Sequence, residues 1–458
     1  MASTAIVLFT RDLRVRDNPT LWRAVHDHDR VVPMFVLDDD ILNGDFNRPN
    51  RATFLAQSLA DLDQSLRGLG AGLVIRRGRL DREVADVARS VRADAVHVSL
   101  DASGYSAGRV KRLQAALRGV EVVGHDETLF VVPPGRIRPS GGADHMSVFG
   151  AYYRRWEKQD RRRLFGTPKA IDLPRIARGR LPSPDDICRG DRSPNLAHGG
   201  ETAGRRRLAA WLKQDAARYA ELHDDLAADA TSRLSPYLHF GCISPVELVS
   251  RKGVVAEFVR QVAWRDFHAQ VLSARPGSTR RDYRHRGDRW HGANEDFEAW
   301  KAGRTGLPIV DAGMRQLAEE GWMHNRARLI VGHLLVKTLY IDWRLGAQHF
   351  VDLLVDGDTS NNTMNWQWVA GTGTDSRYNR TFSIDSQAKR FDPRGDYVRR
   401  YVPELRGIDG PAVHRPWTLP DEVRDGLDYP DPIVDVAEGN RRFLEAREAR
   451  GARGARGA

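Results

Sequence analysis

The chain has 458 residues, which at roughly 150 residues per domain suggests about three domains, with two large ones fitting equally well. Apolar residues make up 41% and charged residues 29%, a globular composition that excludes a mainly disordered or collagen-like chain. Lys and Arg total 71 against 61 Asp and Glu, and the surplus of +10 points to a polyanionic partner, nucleic acid ahead of an anionic membrane surface; a merely solubilising arginine-rich surface would give the same balance.

The first 130 residues alternate short apolar, β-branched runs with segments of helical period. The runs are AIVLFT (5–10), VVPMFVL (31–37), GLVI (72–75), AVHVSL (95–100) and VEVVG (120–124). Between them, Arg51–Arg67, Asp81–Val91 and Ala107–Leu117 carry apolar residues at spacings of three and four. Alternation of this kind predicts a doubly wound α/β domain with a parallel sheet over 1–130. The first strand leads into TRDLRVRDNP and not into G-x-G-x-x-G, so the usual pyrophosphate turn is missing.

From 131 to 202, PPGRIRPSGG, LPSPDD and HGG mark a long connector, with one helix expected around Phe149–Arg163. Beyond Arg205 the strand-like runs vanish. An all-α domain is predicted over 203–445, its clearest pattern being Ala327, Ile330, Val331, Leu334, Leu335, Thr338 and Leu339. The basic GARGARGA end suggests a disordered tail over 446–458 with at most nonspecific phosphate affinity.

Cys188 and Cys242 are the only cysteines, which excludes a disulfide scaffold and a multi-cysteine metal site and suits a reducing cytoplasm. No basic region precedes the first apolar run, and no window reaches about 18 uninterrupted apolar residues. The expectation is a soluble protein that is not exported and makes no membrane contact.

The aromatic-rich constellations lie in the helical half. Thr231-Ser-Arg-Leu-Ser235 places hydroxyls and an arginine ahead of an apolar run, which suits either phosphate binding or an ordinary helix cap. Gln261, Trp264 and Arg265 share one helical face, able to stack on a base and bond its edge, or simply half-buried. Asn325 and Arg328 share another face, with Arg326 directed elsewhere. Asp356-Gly-Asp358 precedes Asn361, Asn362 and Trp366-Gln-Trp368; no histidine cluster accompanies it, leaving an oxygen-only Mg²⁺ site or hydrogen bonds to a ribose or flavin as readings. Spacing alone assigns Trp290, Trp343 and Trp366 no more than a core or interface place.

Eight motifs in order, TRDLRVRDNPTL (10–21), TSRLSPYLHFG (231–241), WRDF (264–267), GLPIVDAGMRQL (306–317), GWMHNRARL (321–329), DWRLGAQHF (342–350), DGDTSNN (356–362) and WQWVAGTGTD (366–375), resemble the photolyase/cryptochrome family. The chain looks most like the bacterial class I photolyases that split cyclobutane pyrimidine dimers. The resemblance runs from about Ala5 to Leu405 and implies an α/β antenna domain, a linker and a helical domain holding FAD. It implies that Tyr219, Thr231, Ser232, Arg233, Leu234 and Ser235 contact the flavin phosphate and ribityl groups. Asn325, Arg328, Asp356, Asp358 and Asn362 would serve the ring and adenine side, with an Arg328–Asp356 ion pair beside the ring and Asn362 at its central nitrogen. The family's electron chain falls on Trp366, Trp343 and Trp290, from proximal to surface.

By the same resemblance, Trp264 and Trp368 match the two aromatic walls around a flipped-out dimer in UV-damaged DNA, and Arg326 matches a DNA-phosphate contact. Gln261 stands where these photolyases usually have glutamate, and Leu329 where many have methionine. Gln261 is also reminiscent of (6-4) photolyases, but these resemble GWIHH and use two histidines at i, i+4, where this chain has Asn325 and Leu329; His324 lies about 100° around the helix. Cyclobutane repair by a monomer, nucleoid-associated through its DNA, is therefore the expectation. The alternative is a cryptochrome-like blue-light photoreceptor, and a (6-4) photolyase is a further rival. Folate-binding members resemble an Asn-Glu pair after the fourth strand, absent from the comparable 104–109 stretch. The resemblance thus implies an 8-hydroxy-5-deazaflavin antenna rather than methenyltetrahydrofolate, near Arg11, Asp38, Arg51 and Asp101, with an empty or flavin-filled pocket as the alternatives. Family members usually also show Asn-Pro near Ser383-Ile-Asp385, a departure without a functional reading from sequence.

Overall fold

A computed structural model describes the backbone of residues 2–454 and the side chains of residues 2–449. Five strands, β1 (Thr4–Leu8), β2 (Arg30–Asp38), β3 (Val74–Gly78), β4 (Ala95–Ser99) and β5 (Glu121–His125), form one parallel sheet in the order β3-β2-β1-β4-β5. Alternate residues of β1 enter different cores. Ala5 and Val7 pack with the helix Pro49–Arg67, while Ile6 and Leu8 pack with Leu80–Val91 and Gly104–Ala116. Burial on both faces explains why the strands read as continuous apolar runs. A helix unread in the sequence, Pro19–Asp27, begins at the NPT signal, where the Asn18 side chain accepts from the Leu21 N–H at 3.1 Å and Pro19 takes the first helical position.

The direction in which strands are added reverses between β1 and β4, so the loops after these strands border a crevice at the carboxyl edge of the sheet. That edge faces the helical half. Arg14, 1% exposed, donates to the carbonyls of Asp17, Thr128 and Gly241, and Leu13 N–H reaches the Phe240 carbonyl at 3.1 Å. Gly241 has φ +66, and a Cβ there would run into the Arg11 carbonyl, so this close approach requires glycine.

The connector is clamped at both ends. Val131 and Val132 N–H groups and the Trp156 indole all donate to the buried Asp266 carboxylate, at 3.1, 2.9 and 3.0 Å. Gln270 bonds both backbone groups of Met146. At the other end, Ser193 pairs with Asn50, and Gly199 N–H with Gln57. The connector helix is Phe149–Trp156, shorter than the sequence pattern, and a second short one covers Pro184–Ile187.

The helical half is built around Ala256–Ala274, Pro308–Glu320, Asn325–His333, Trp343–Leu353 and Thr359–Ala370. The apolar face predicted from Ala327 to Leu339 is buried, but the α-helix passes into a π turn over Leu334–Thr338. Ser383, at the departure from Asn-Pro, caps the helix Ile384–Phe391, and Asp385 pairs with Arg415. The final helix, Val436–Gly454, extends through much of the segment expected to be disordered, and residues 455–458 lie outside the described residues. No helix among the described residues is long and apolar enough to cross a membrane.

Candidate active site

A cavity of about 420 Å³ opens between the helices of the second half. Tyr219, Thr231, Ser232, Arg233, Leu234, Ser235, Gln261, Trp264, Arg265, Asn325, Arg326, Arg328, Leu329, Asp356, Asp358 and Trp368 all line it. Segments separated by more than a hundred residues thus converge on one volume.

One wall is the 231–235 segment. Arg207, from the helix Glu201–Gln214, donates to the carbonyls of Thr231 and Ser232 at 2.8 and 2.9 Å. The Thr231 hydroxyl is buried without a partner, an unusual cost that a polar ligand in the cavity would relieve. Arg233 holds the left-handed region at φ +51, a conformation that non-glycine residues keep only when their surroundings enforce it. Its guanidinium is fixed by Asp229 and Glu320, both at 2.6 Å, and lies over Trp322. Its charge is therefore already partnered. Ser235 Oγ accepts from the Trp322 indole at 3.1 Å.

Opposite, Arg328 Nη2 lies 2.8 Å from Asp356 Oδ2 and 3.1 Å from Oδ1, and its Nε donates to the Met323 carbonyl. Asp358 accepts from Arg11 at 2.6 Å and caps the helix that follows, accepting from Asn361 N–H at 2.9 Å. Burial works against ionising Asp358, but the Arg11 cation and His239 hold its carboxyl well below the usual range. Both carboxylates of the DGD motif are thus committed to arginines. Among the described residues no group of three or more His, Cys, Asp and Glu side chains that could hold a metal ion exists.

Asn362 and Trp366, four residues apart on one helical face, line a smaller cavity of about 60 Å³ that shares Asn325, Arg328, Leu329 and Asp356 with the larger one. The Asn362 amide donates to the Ala347 carbonyl at 3.0 Å, leaving its carbonyl oxygen for the cavity. Trp366 is buried and packs edge-on to Phe350. Its ring lies against Gly346, where a Cβ would overlap it; Gly346 stands one turn into the helix that begins at Trp343. Trp343 is 1% exposed, while half-buried Trp290 packs on Tyr340 at 4.9 Å beside a backbone bridge between His291 and Ile341. Trp366 thus lines the smaller cavity, Trp343 begins the helix packed against its ring, and Trp290 is half-buried.

On the open side, Trp264 stacks on Phe149 at 3.6 Å and 9°, and Trp368 lines the same cavity. Exposed Gln261 stands beside Trp264. Two residues of this group are occupied otherwise than the sequence suggested. Arg326, expected at a DNA phosphate, is paired with Asp224 at 2.7 Å and lies over Phe391. Arg265 reaches the Leu129 carbonyl at 2.7 Å, so it ties its helix to the α/β half while touching the cavity.

Arg11 follows β1 and Asp101 follows β4, and they pair at 2.9 Å at the sheet's carboxyl edge. Nearby, the Tyr105 hydroxyl donates to Asp38, and Arg51 lies 4.3 Å from the centre of the Phe46 ring while donating to the Leu354 carbonyl. Burial, then neighbouring Arg48, pushes the Arg51 guanidinium down to about 10.

Residues 5–171 match the family model described as DNA photolyase, and residues 258–449 match that of the FAD binding domain of DNA photolyase. The deoxyribodipyrimidine photo-lyase of Streptomyces griseus is 52% identical over 97% of this chain and 99% of its own length. The chain belongs to the DNA photolyase family. Among solved structures, a class III photolyase from Agrobacterium tumefaciens superposes on this photolyase-family chain with a TM-score of 0.89 at 31% identity, covering 98% of both. An archaeal photolyase from Sulfolobus tokodaii, solved with two FAD molecules, has a TM-score of 0.85 at 30% identity, covering 97% of this chain and all of that one.

Several cavity residues of this photolyase went unread in the sequence. His268 lines the cavity and bonds Asn361 at 3.1 Å; its place four residues after Trp264 was an available signal. Trp322 could have been found within GWMHN. Arg207 could not, because it acts from behind through backbone carbonyls that its own RRR run does not announce.

Proposed function

We propose that the protein is a light-dependent DNA repair lyase that splits cyclobutane pyrimidine dimers. The carrying observation is that the aromatic walls Trp264 and Trp368 open onto the same cavity as the Thr231–Ser235 cradle and the Arg328–Asp356 pair. The residues fit FAD: an unpartnered Thr231 hydroxyl suits a phosphate or ribityl oxygen, and Arg328, in the cavity wall, would offer a cation to the charge of a reduced ring. FAD, when bound in reduced form, supplies the light-driven electron that opens the dimer. The chain's own residues do the rest. Thr231, Ser232 and Ser235 hold the polar side of the cofactor, Asn325 and Asn362 offer amides to the ring, and Trp264 and Trp368 stack against the extruded pyrimidines and exclude water. The Gln261 amide can bond a thymine edge as both donor and acceptor.

The (6-4) reading lacks the pair of histidines at i, i+4, where this chain has Asn325 and Leu329. His324 is buried, its Nδ1 accepts from the Arg326 N–H at 3.1 Å as a helix cap, and burial lowers it to about 4. It is neutral and outside the cavity lining.

For the antenna we propose 8-hydroxy-5-deazaflavin at the sheet edge. Arg11, Arg51 and Arg109 gather there with the rings of Phe46 and Tyr105 and the carboxylates of Asp38 and Asp101, a set suited to a planar ring bearing an acidic hydroxyl. The protein is proposed to act as a cytoplasmic monomer on nucleoid DNA.

The test is to reduce the flavin-loaded protein and illuminate it with one oligonucleotide carrying a cyclobutane thymine dimer and another carrying a (6-4) product. Loss of the cyclobutane dimer alone is expected. Repair of the (6-4) product, or of neither, would overturn the reading, the latter in favour of a photoreceptor.

A further inference from the structure

The three tryptophans differ at one atom. The indole Nε1 of Trp366 and that of Trp290 are both buried without an acceptor among the described residues. Trp343 Nε1, by contrast, donates to Asp282 Oδ1 at 2.9 Å. The same oxygen accepts from Arg344 Nη2 at 2.8 Å, and the Arg344 guanidinium sits 4.7 Å from the centre of the Trp343 ring. Arg344 is itself fixed by Asp342 at 3.0 Å and by the Arg280 carbonyl at 2.7 Å. Asp282 is held by its loop: Gln367, fully buried between the two tryptophans of the WQW motif, accepts from Tyr283 N–H at 2.7 Å and donates to the carbonyls of Ser278 and Arg281 at 2.7 and 3.2 Å.

A cation over the ring face is attractive while the indole is neutral and opposes any positive charge the ring acquires. A carboxylate on the N–H offers the relief, because proton loss removes that charge. We propose that Asp282 accepts the indole proton of Trp343 when this ring gives up an electron, so that the oxidised site comes to rest at Trp343 as a neutral radical. The inference rests on Trp343 and Trp366 as successive members of an electron path to the flavin, with Trp290 lying beyond the site where the charge stops. In the step, Trp343 passes one electron to Trp366, whose own electron has gone to light-excited oxidised flavin. The Nε1–H bond breaks and an O–H bond forms on Asp282 Oδ1. An added thiol, as one-electron donor, restores the ring, and the proton returns from Asp282. Asp282 is the proton acceptor for Trp343, 2.9 Å from the nitrogen that gives the proton up.

The experiment is flash excitation of the protein loaded with oxidised FAD, following the visible absorption bands that separate cationic from neutral tryptophan radicals, in H₂O and D₂O. Asp282→Asn retains an oxygen that accepts the indole hydrogen bond but cannot take up the proton. The wild type is expected to form the neutral radical, more slowly in D₂O. Asp282→Asn is expected to prolong the cationic form about tenfold, equivalent to about 1.4 kcal/mol in barrier, and to lose the solvent isotope effect. Arg344→Gln, which leaves Asp282 in place but removes the cation 2.8 Å from its accepting oxygen, is expected to raise the carboxylate's affinity for the proton and shorten the cationic form, and serves if the Asp282 variant folds poorly. A neutral radical forming equally fast in Asp282→Asn overturns the role of Asp282. Trp343→Phe separates the two levels: if the long-lived radical persists in that variant, the electron path itself is wrong, and the proposal falls with it.

Discussion

Arg11 Nη1 lies 2.9 Å from Asp101 and its Nη2 2.6 Å from Asp358, so one guanidinium joins the sheet's carboxyl edge to the helix cap at the active-site cavity. Burial disfavours the Arg11 charge, and the two carboxylates more than offset it, raising the group above its ordinary value. Arg11→Leu should cost about 3 kcal/mol, because it strands the two carboxylates in a largely buried setting. The checks are urea unfolding and the flavin retained after gel filtration. Unchanged stability would mean the carboxylates find other partners.

Trp264→Ala should weaken binding to dimer-containing DNA by about 1–3 kcal/mol, the scale of a lost stacking surface, while undamaged DNA is bound as before. Titration of both oligonucleotides at one salt concentration reads this directly. Equal losses on both would make Trp264 a support for Phe149 rather than a lesion wall.

Affinity for undamaged DNA should fall steeply with salt, since a basic protein binds the phosphate backbone by releasing counterions. Affinity flat between 50 and 200 mM salt, about the span over which phosphate-contacting proteins lose several decades, would remove the charge surplus from the argument.

Gly346→Ala would push a methyl group into the rings of Trp366 and the side chain of Leu335. A loss of about 1–3 kcal/mol is expected from overpacking, measurable by thermal unfolding, together with slower photoreduction of the flavin if the helix moves away from Trp366.

Burial lowers His97, His125, His239, His268, His324 and His349 to about 4, and His333 to about 3. An unfolded chain binds protons at these sites near pH 6.5, whereas the folded chain does not until near pH 4. Between those values the unfolded state carries more protons, so stability rises with pH and is lost on acidification. Urea midpoints at pH 7.5, 6 and 5 should fall in that order with unchanged slope. A flat profile would contradict the burial of these rings.

The strands of the first half were legible because a parallel sheet covered on both faces turns buried positions into uninterrupted Val, Ile and Leu runs. The helix Pro19–Asp27 was missed because its apolar stripe is short, although Asn18-Pro19 announced it. In the site, motif order found many of the residues that line the cavity, though not His268 or Trp322. It could not show that Arg326 is held by Asp224 or that Arg265 spends its charge on the Leu129 carbonyl, since both depend on partners about a hundred residues away. The partners that act from behind, Arg207 on the Thr231 carbonyl and Gln367 on the Asp282 loop, carry no local pattern at all. Gln367 is only the middle residue of the Trp-Gln-Trp motif in sequence, and its complete burial reveals its task.

The clamps at the two ends of the connector bear on how the molecule would survive a cut. Arg161, Arg162 and Arg163 lie just past the short connector helix, a natural point for trypsin. Asp266 and Gln270 grip the chain on one side of that point, while Asn50 and Gln57 grip it on the other. Severed there, the polypeptide would remain a single particle, and its two fragments, produced separately, would have matching surfaces on which to reunite.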